Sequence, residues 1–453
     1  MSFFKAYDMR GTFGTDFDLD TVYRIGRVLP KVVKGRRWLI GRDCRVTSKD
    51  VRDALVRGLA QSGVEVTDLG LCTTPMVYFF TAEENFDGSV MITASHNPPS
   101  DNGLKVSMRT ALPVGYANGL NEVESMIGAL ETFEPSAEPV TRRIEDALPR
   151  YLAWQREHTA DAPFDGLRVG VDCSNGMSSL LVKELFPGAV IINDTPDGRF
   201  PNHSPNPLKD EAREQIAQLV RERKLDCGVI FDGDADRAML IDERGEFVQP
   251  DYLIPVVARA TRTFLADTPG SSNVVVHDVR TSRGVIEALS RMGFRPMMVP
   301  VGHAFAKPVL RETKAICGGE LAGHYYFGEF HGCDSGLLAA LRILGEIARA
   351  KCVGMTFSQM MHPISGVYAN SGEINFRVED KGAAIARVLS AAAERLPHEL
   401  SRSEIDGIRI EYAEGWVNIR QSNTEPYLRL IVECDTAKRL QDWLGVLKAA
   451  VED

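Results

Sequence analysis

The sequence lacks a long uncharged apolar run, paired cysteines and an excess of positive charge, and each absence closes a class of function. No segment of the 453 residues reaches membrane-spanning length without a charge, whereas a helix crossing a bilayer needs about 20 consecutive apolar residues. The start, Met1-Ser2-Phe3-Phe4-Lys5-Ala6-Tyr7-Asp8, has no apolar core behind a basic end, the pattern of a secretory signal. A cytoplasmic protein away from membranes is expected. Cys44, Cys72, Cys173, Cys227, Cys317, Cys333, Cys352 and Cys434 are scattered without any C-x-x-C pair. That argues against zinc sites and a disulfide framework and for small buried apolar residues. The formal net charge of -10 makes general affinity for nucleic acid or anionic membrane unexpected, so an anionic substrate needs a locally basic cleft.

With 44% hydrophobic and 25% charged residues, the composition is that of an ordinary globular protein. The length exceeds what one core holds, so three or four domains are expected.

The rest of the chain is organised around Gly88-Ser89-Val90-Met91-Ile92-Thr93-Ala94-Ser95-His96-Asn97-Pro98-Pro99. An apolar strand, Val90 to Ile92, is cut off by a small hydroxyl residue and then by Asn-Pro-Pro, which neither continues a strand nor opens a helix at once. Two prolines lower the loop's entropy and hold the Ser95 hydroxyl in one place, and Asn102-Gly103 turns the chain so that Lys105 returns toward it. Taken alone, such a segment ordinarily reads as just a surface turn.

Around it, strand-like and helix-like stretches alternate. Trp38 to Gly41 is a short strand, and Thr47 to Asp50 opens a helix with Val51, Leu55 and Leu59 at helical spacing. The pattern recurs from Leu167 to Asp172 through Gly228-Val229-Ile230-Phe231, and again from Asn273 through Gly284 to Leu289 and Gly318-Gly319-Glu320. Each round ends by presenting a motif at a strand's carboxyl end, where open α/β sheets bind ligands. His362-Pro363-Ile364-Ser365-Gly366 marks the last junction, and beyond it a strand at Glu373 to Val378, a helix from Lys381 to Leu396 and a hairpin around Ser422-Asn423-Thr424 read as a different domain. The expected fold is three similar mixed-sheet α/β units followed by a smaller α+β domain around a central cleft. The expected boundaries are 1–142, 143–247, 248–363 and 364–453.

Asp232, Asp234 and Asp236 alternate with Gly233 and Ala235, which places three carboxylates on one side of an extended segment. Such converging charges call for a cation, and hard oxygens favour Mg2+. An EF-hand loop is disfavoured because Arg237 stands where the tight-turn glycine belongs. An aspartate-nucleophile phosphatase using Asp232 leaves the Ser95 loop unexplained.

Four motifs appear in order: Thr93 to Pro99, Asp232-Gly233-Asp234-Ala235-Asp236-Arg237, Gly319-Glu320-Leu321-Ala322-Gly323-His324, and Arg420-Gln421-Ser422-Asn423-Thr424-Glu425-Pro426. Together they resemble the motifs of the α-D-phosphohexomutases over essentially the full length. The resemblance implies a phosphoserine enzyme that interconverts hexose 1-phosphates and 6-phosphates, of mannose and/or glucose, through a hexose 1,6-bisphosphate. It implies Ser95 as nucleophile and phosphate carrier and as a metal ligand with the three aspartates. His96, Lys105, Arg10 and Arg237 are then the charge-neutralising and proton-moving groups. Tyr7 and Arg10 match an opening motif facing the serine, and His303 and Lys307 match a segment facing the sugar phosphate, although a His-Lys pair four apart ordinarily reads as an exposed helix face. Arg280 stands where the family more often has lysine, which keeps the charge but not the geometry.

Glu320 would accept from two vicinal hydroxyls of the sugar, with His324 in the same motif, while Ala322 replaces a commoner serine and removes one hydroxyl contact. Arg420, Ser422, Asn423, Thr424 and Arg429 would anchor the non-reacting phosphate. The implied partner is a small sugar phosphate rather than nucleic acid or a membrane, and monomer and dimer are not distinguished. The alternatives are a Mg-dependent sugar-phosphate phosphatase, a phosphoglucosamine mutase and, last, a non-catalytic calcium- or sugar-binding protein.

Overall fold

The computed structural model describes residues 3–130, 141–159, 164–266, 272–422 and 427–452. Its first three sheets share one plan. In the first, the strands Glu65–Leu71, Arg37–Arg42 and Gly88–Ile92 run parallel, and Asp101–Met108 returns antiparallel to Gly88–Ile92. In the second, Val190–Ile192, Val169–Asp172 and Cys227–Phe231 run parallel, and Ala238–Ile241 returns antiparallel. The third repeats this with Arg295–Val299, Val274–Asp278, Cys317–Gly319 and the returning Tyr325–Phe327.

The three expected motifs occupy the same place in each plan, the connection between the last parallel strand and its return. Gly88–Ile92 and Cys227–Phe231 are wholly buried, which is why they read as unbroken apolar runs rather than alternating ones. Sequence identity between the rounds does not reveal this repetition; the strand order does.

A single apolar cluster runs through all three units, joining Leu39, Phe79 and Met91 to Val171 and Phe231 and to Val275 and Phe327. The helix Thr74–Glu83 has every residue but Glu83 buried, as does most of Gly336–Cys352. Helices buried on nearly every face belong inside a shared core. The helix Phe357–Ser365 carries Pro363 within it. The stretch from His362, expected as a junction, is therefore that helix's last turn closed by Gly366.

The last sheet is different, with every described strand pair antiparallel and Ile408–Glu411, Gly415–Gln421 and Leu428–Cys434 as its centre, under the helices Lys381–Arg395 and Ala437–Glu452 with their own core. Its contact with the third unit combines a small apolar cluster of Leu321, Trp416 and Ile431 with polar bonds. Arg409 donates to the carbonyls of Val279 and Thr281 at 2.6 and 2.9 Å, and Arg283 donates to those of Tyr412, Ala413 and Gly415. Six cysteines are buried, Cys44 is half-buried and Cys352 is exposed, and all eight are free. Among the described residues no helix is long and apolar enough to cross a membrane.

Candidate functional site

The Ser95 loop is stiffer than its prolines alone make it. Ser95 sits at φ 50°, a left-handed conformation that non-glycine residues adopt at some cost, and its backbone N–H donates to Thr93 Oγ1. The side chain of Arg45, buried beneath the loop, donates to the carbonyls of Ser95, Asn97, Pro98 and Asp101 at 2.6 to 2.9 Å. One guanidinium thus fixes four carbonyls by charge-assisted hydrogen bonds. A Cβ at Gly233 would stand 2.5 Å from the Ser95 carbonyl oxygen, so the two loops meet only because that position is glycine.

Across this contact the Ser95 hydroxyl donates to Asp232 Oδ2 at 2.6 Å and lies 3.2 Å from His96 Nδ1. Asp232, Asp234 and Asp236 bring carboxylate oxygens within 4.8 Å of one another, all buried. Lys105 donates to Asp234 Oδ2 at 2.7 Å and to Asp236 Oδ2 at 2.5 Å, and Thr74 adds a hydrogen bond to Asp234. Oδ1 of Asp234 and Oδ1 of Asp236 are buried without a hydrogen-bond partner. Converging hard oxygens with unsatisfied lone pairs fit a divalent cation.

Burial, then the two neighbouring aspartates, push Asp232 well above the usual carboxylate range. Asp234 is buried too, but Lys105 outweighs that and holds it low. For Lys105 itself burial favours the neutral amine, and the pull of Asp234 and Asp236 reverses this and raises it. Lys105 is therefore an ammonium in this arrangement. His96 is held neutral by burial and by the cations Arg237, Arg10 and Lys105.

Arg10 donates to Asp8 at 2.6 Å and to Asn97 Oδ1 of the serine loop at 3.0 Å. Arg237 donates from Nε to His324 Nε2 at 2.9 Å and stands 3.8 and 3.9 Å from Asp232 and Asp236. Because a guanidinium only donates, His324 Nε2 must accept, which leaves the proton on Nδ1, 2.7 Å from Asp334 Oδ2. Asp334 also pairs with Lys307 at 2.8 Å. Lys307 is wholly buried, 3.6 Å over the Tyr78 ring, so the exposed-face expectation fails there; its ammonium is engaged with Asp334, behind His324. His303 lies between Tyr7 and His324, its ring centroid 6.1 and 6.4 Å from theirs, and burial lowers its pKa well below the ordinary value. The Tyr7 hydroxyl donates to the Val301 carbonyl at 3.0 Å.

Glu320 is buried, which raises its pKa, and it accepts a hydrogen bond from the Tyr326 hydroxyl. Arg280 is clamped by Asp278, with Nη2 2.6 Å from Oδ2, and stands 3.8 Å from Glu320 and 3.5 Å from Glu373. Glu373 in turn accepts from Arg420 at 2.8 Å and Arg429 at 3.0 Å. Ser422 is buried on the same hairpin, and Asn423 and Thr424 lie outside the described residues.

The structure thus gathers Ser95, His96, Lys105, Arg10, Arg237 and the three aspartates at one focus, with Tyr7, His303, His324 and Lys307 beside it. Glu320 and Arg280 link that focus to Arg420 and Arg429. Sequence reading misses Arg45, Thr74, Asp334, Tyr326 and Glu373. Arg45 follows a strand's carboxyl end, a position that signals a loop role; Glu373 has no local signal, because the arginines it joins lie far along the chain.

Family models for phosphoglucomutase/phosphomannomutase match in order: alpha/beta/alpha domain I over residues 1–132, domain II over 150–245, domain III over 249–365 and the C-terminal domain over 373–447. A phosphomannomutase of Escherichia coli is 35% identical over 98% of this chain and 99% of its own. A phosphohexose mutase of Xanthomonas campestris pv. campestris is 36% identical over 95% of this chain and 94% of its own. The crystal structure of a phosphoglucomutase/phosphomannomutase family protein from Burkholderia thailandensis superposes with a TM-score of 0.83 at 28% identity, covering 99% of this chain and 97% of that one.

Proposed function

The chain belongs to the phosphoglucomutase/phosphomannomutase family and is a hexose phosphate mutase, and we propose that its phosphotransfer runs through a phosphate carried on Ser95. The observation that carries this reading is the Ser95 hydroxyl, fixed at φ 50° and 2.6 Å from an aspartate of the acidic triad. The free hydroxyl of a hexose monophosphate attacks the phosphorus on Ser95. The bond to Ser95 Oγ breaks, and the proton released by the sugar hydroxyl ends on that oxygen, with neutral His96 at 3.2 Å as its carrier. The resulting 1,6-bisphosphate turns around, and the reverse step returns its other phosphate to Ser95. A trace of hexose 1,6-bisphosphate serves as the activator that loads the serine.

Asp232, Asp234 and Asp236 would hold Mg2+, which when bound supplies positive charge to the transferring phosphoryl oxygens. Lys105, kept protonated by Asp234 and Asp236, and Arg237 and Arg10 supply further fixed charge. Glu320 accepts from the 3- and 4-hydroxyls of the sugar. Glucose and mannose differ at carbon 2, so a site gripping hydroxyls 3 and 4 admits both, and Ala322 adds no hydroxyl contact to separate them. Arg420 and Arg429 hold the non-reacting phosphate from the last domain, which closes over the substrate and excludes water.

The test follows the phosphate of mannose 1-phosphate and glucose 1-phosphate with Mg2+ and a trace of hexose 1,6-bisphosphate. The 6-phosphate is expected from the wild-type protein, and none from Ser95→Ala, which still binds substrate. Turnover retained in Ser95→Ala would refute the phosphoserine route. Inorganic phosphate as the main product would favour an aspartate nucleophile at Asp232.

A further inference from the structure

Glu373 takes no part in the mechanism above, yet it lies at the meeting point of three guanidiniums from two units. Its Oε2 accepts from Arg420 Nη2 at 2.8 Å and stands 3.5 Å from Arg280 Nη1, while Oε1 accepts from Arg429 Nη1 at 3.0 Å. A planar two-oxygen anion bridging guanidiniums uses the same donors, in the same manner, as a phosphate oxygen pair. Burial works against the charged form, but Arg280, Arg420 and Arg429 outweigh it and keep Glu373 ionised.

The chemistry of a mutase sets two opposing demands on such an anchor. It must hold one phosphate while the other reacts at Ser95, and it must then let that phosphate go so that the bisphosphate can turn. Three arginines facing a dianion with nothing opposing them would bind it tightly and release it slowly. A tethered carboxylate, always at hand, reclaims the arginines whenever the phosphate loosens its hold.

We propose that Glu373 is a resident competitor for the phosphate held by Arg280, Arg420 and Arg429, and that this competition sets how readily the bisphosphate is released to reorient. The inference rests on the reading of Arg420 and Arg429 as the phosphate anchor. Glu373 acts through the arginines and is a positioning residue, not a catalytic one. The substitution Glu373→Gln keeps the shape and removes the charge, so the competition weakens.

The experiment titrates inorganic phosphate into the whole protein, wild type, Glu373→Gln and Arg420→Ala, and measures kcat and KM for each with a hexose 1-phosphate. For Glu373→Gln a phosphate Kd about tenfold lower is expected, with KM falling and kcat falling with it as release becomes slow. A Kd that rises would show that Glu373 only scaffolds the arginines, and an unchanged Kd would show no competition; either overturns the proposal. Arg420→Ala is expected to weaken phosphate binding. If it does not, the anchor reading itself fails, separately from the role of Glu373. Should Glu373→Gln lower the Tm sharply, Glu373→Ala read by the same Kd shift serves in its place.

Discussion

At the scale of single residues, the loop that presents Ser95, the proposed phosphate carrier, depends on a side chain that carries no chemistry of its own. Arg45 holds four carbonyls of the Ser95 loop, and a buried carbonyl that loses a charged donor loses about 1 to 3 kcal/mol. Arg45→Ala is expected to lower stability by about 3 kcal/mol and kcat by at least about tenfold, with Arg45→Lys recovering only part because an ammonium cannot span the four acceptors. Thermal melts beside steady-state kinetics check this. An unchanged kcat in a folded Arg45→Ala would show that the prolines suffice to hold the loop. The Ser95 and aspartate motifs were legible because their residue types announce chemistry, whereas Arg45, Tyr326 and Glu373 were not, because a supporting residue is defined by what it touches.

Among elements, the decisive feature is that two hairpin connections from different sheets meet back to back. Gly233 lets the aspartate connection reach the serine connection, with Gly176 packed on its other side. Gly233→Ala puts a methyl 2.5 Å from the Ser95 carbonyl oxygen, and one loop must move. A displacement of about 1 Å lowers kcat about 100-fold, with an overpacking loss of about 1 to 3 kcal/mol. Ala235, two residues on at φ 62°, is the control, because Ala235→Gly relieves a positive φ without adding an atom. If both variants kept wild-type kcat, the close approach would not position the serine. The alternation of strand and helix was readable from apolar spacing. Mixed sheets are expected from the sequence, but which strands return antiparallel is not, since a buried strand looks alike in either direction.

For the molecule as a whole, three units share one core and the fourth is joined to them by polar bonds and a small apolar cluster. At the base of that joint His277, on the strand Val274–Asp278, is buried and its pKa falls from the ordinary 6.5 to about 4, through burial first and Arg409 as a further cause. Below pH 6.5 the unfolded chain takes up a proton that the folded one refuses, so this contribution is fully present above about pH 6.5 and lost as pH falls toward 4. Asp251 acts oppositely. Burial raises it to about 7, so its contribution is present at low pH and lost as pH rises through about 7. The two partly offset each other in the wild-type profile. The difference between His277→Gln and wild type isolates the first: stability of the variant relative to wild type should gain about 3 kcal/mol between pH 7 and pH 4. A difference in Tm that stays flat over that range would mean that His277 takes up its proton as readily in the fold as in the unfolded chain.

The sequence by itself determined which residue types the candidate site would gather, the order of the four motifs and the placement of the first three at strand ends, because those rest on residue type and local periodicity. Only the tertiary structure decided which motifs touch. It set the serine against Asp232, gave Lys105 to two aspartates, turned Lys307 inward to Asp334 and drew Arg280, Arg420 and Arg429 onto Glu373. These pairings join residues from tens to well over a hundred positions apart. Their energies arise from burial and charge in a shared interior, and no local stretch of chain contains that information.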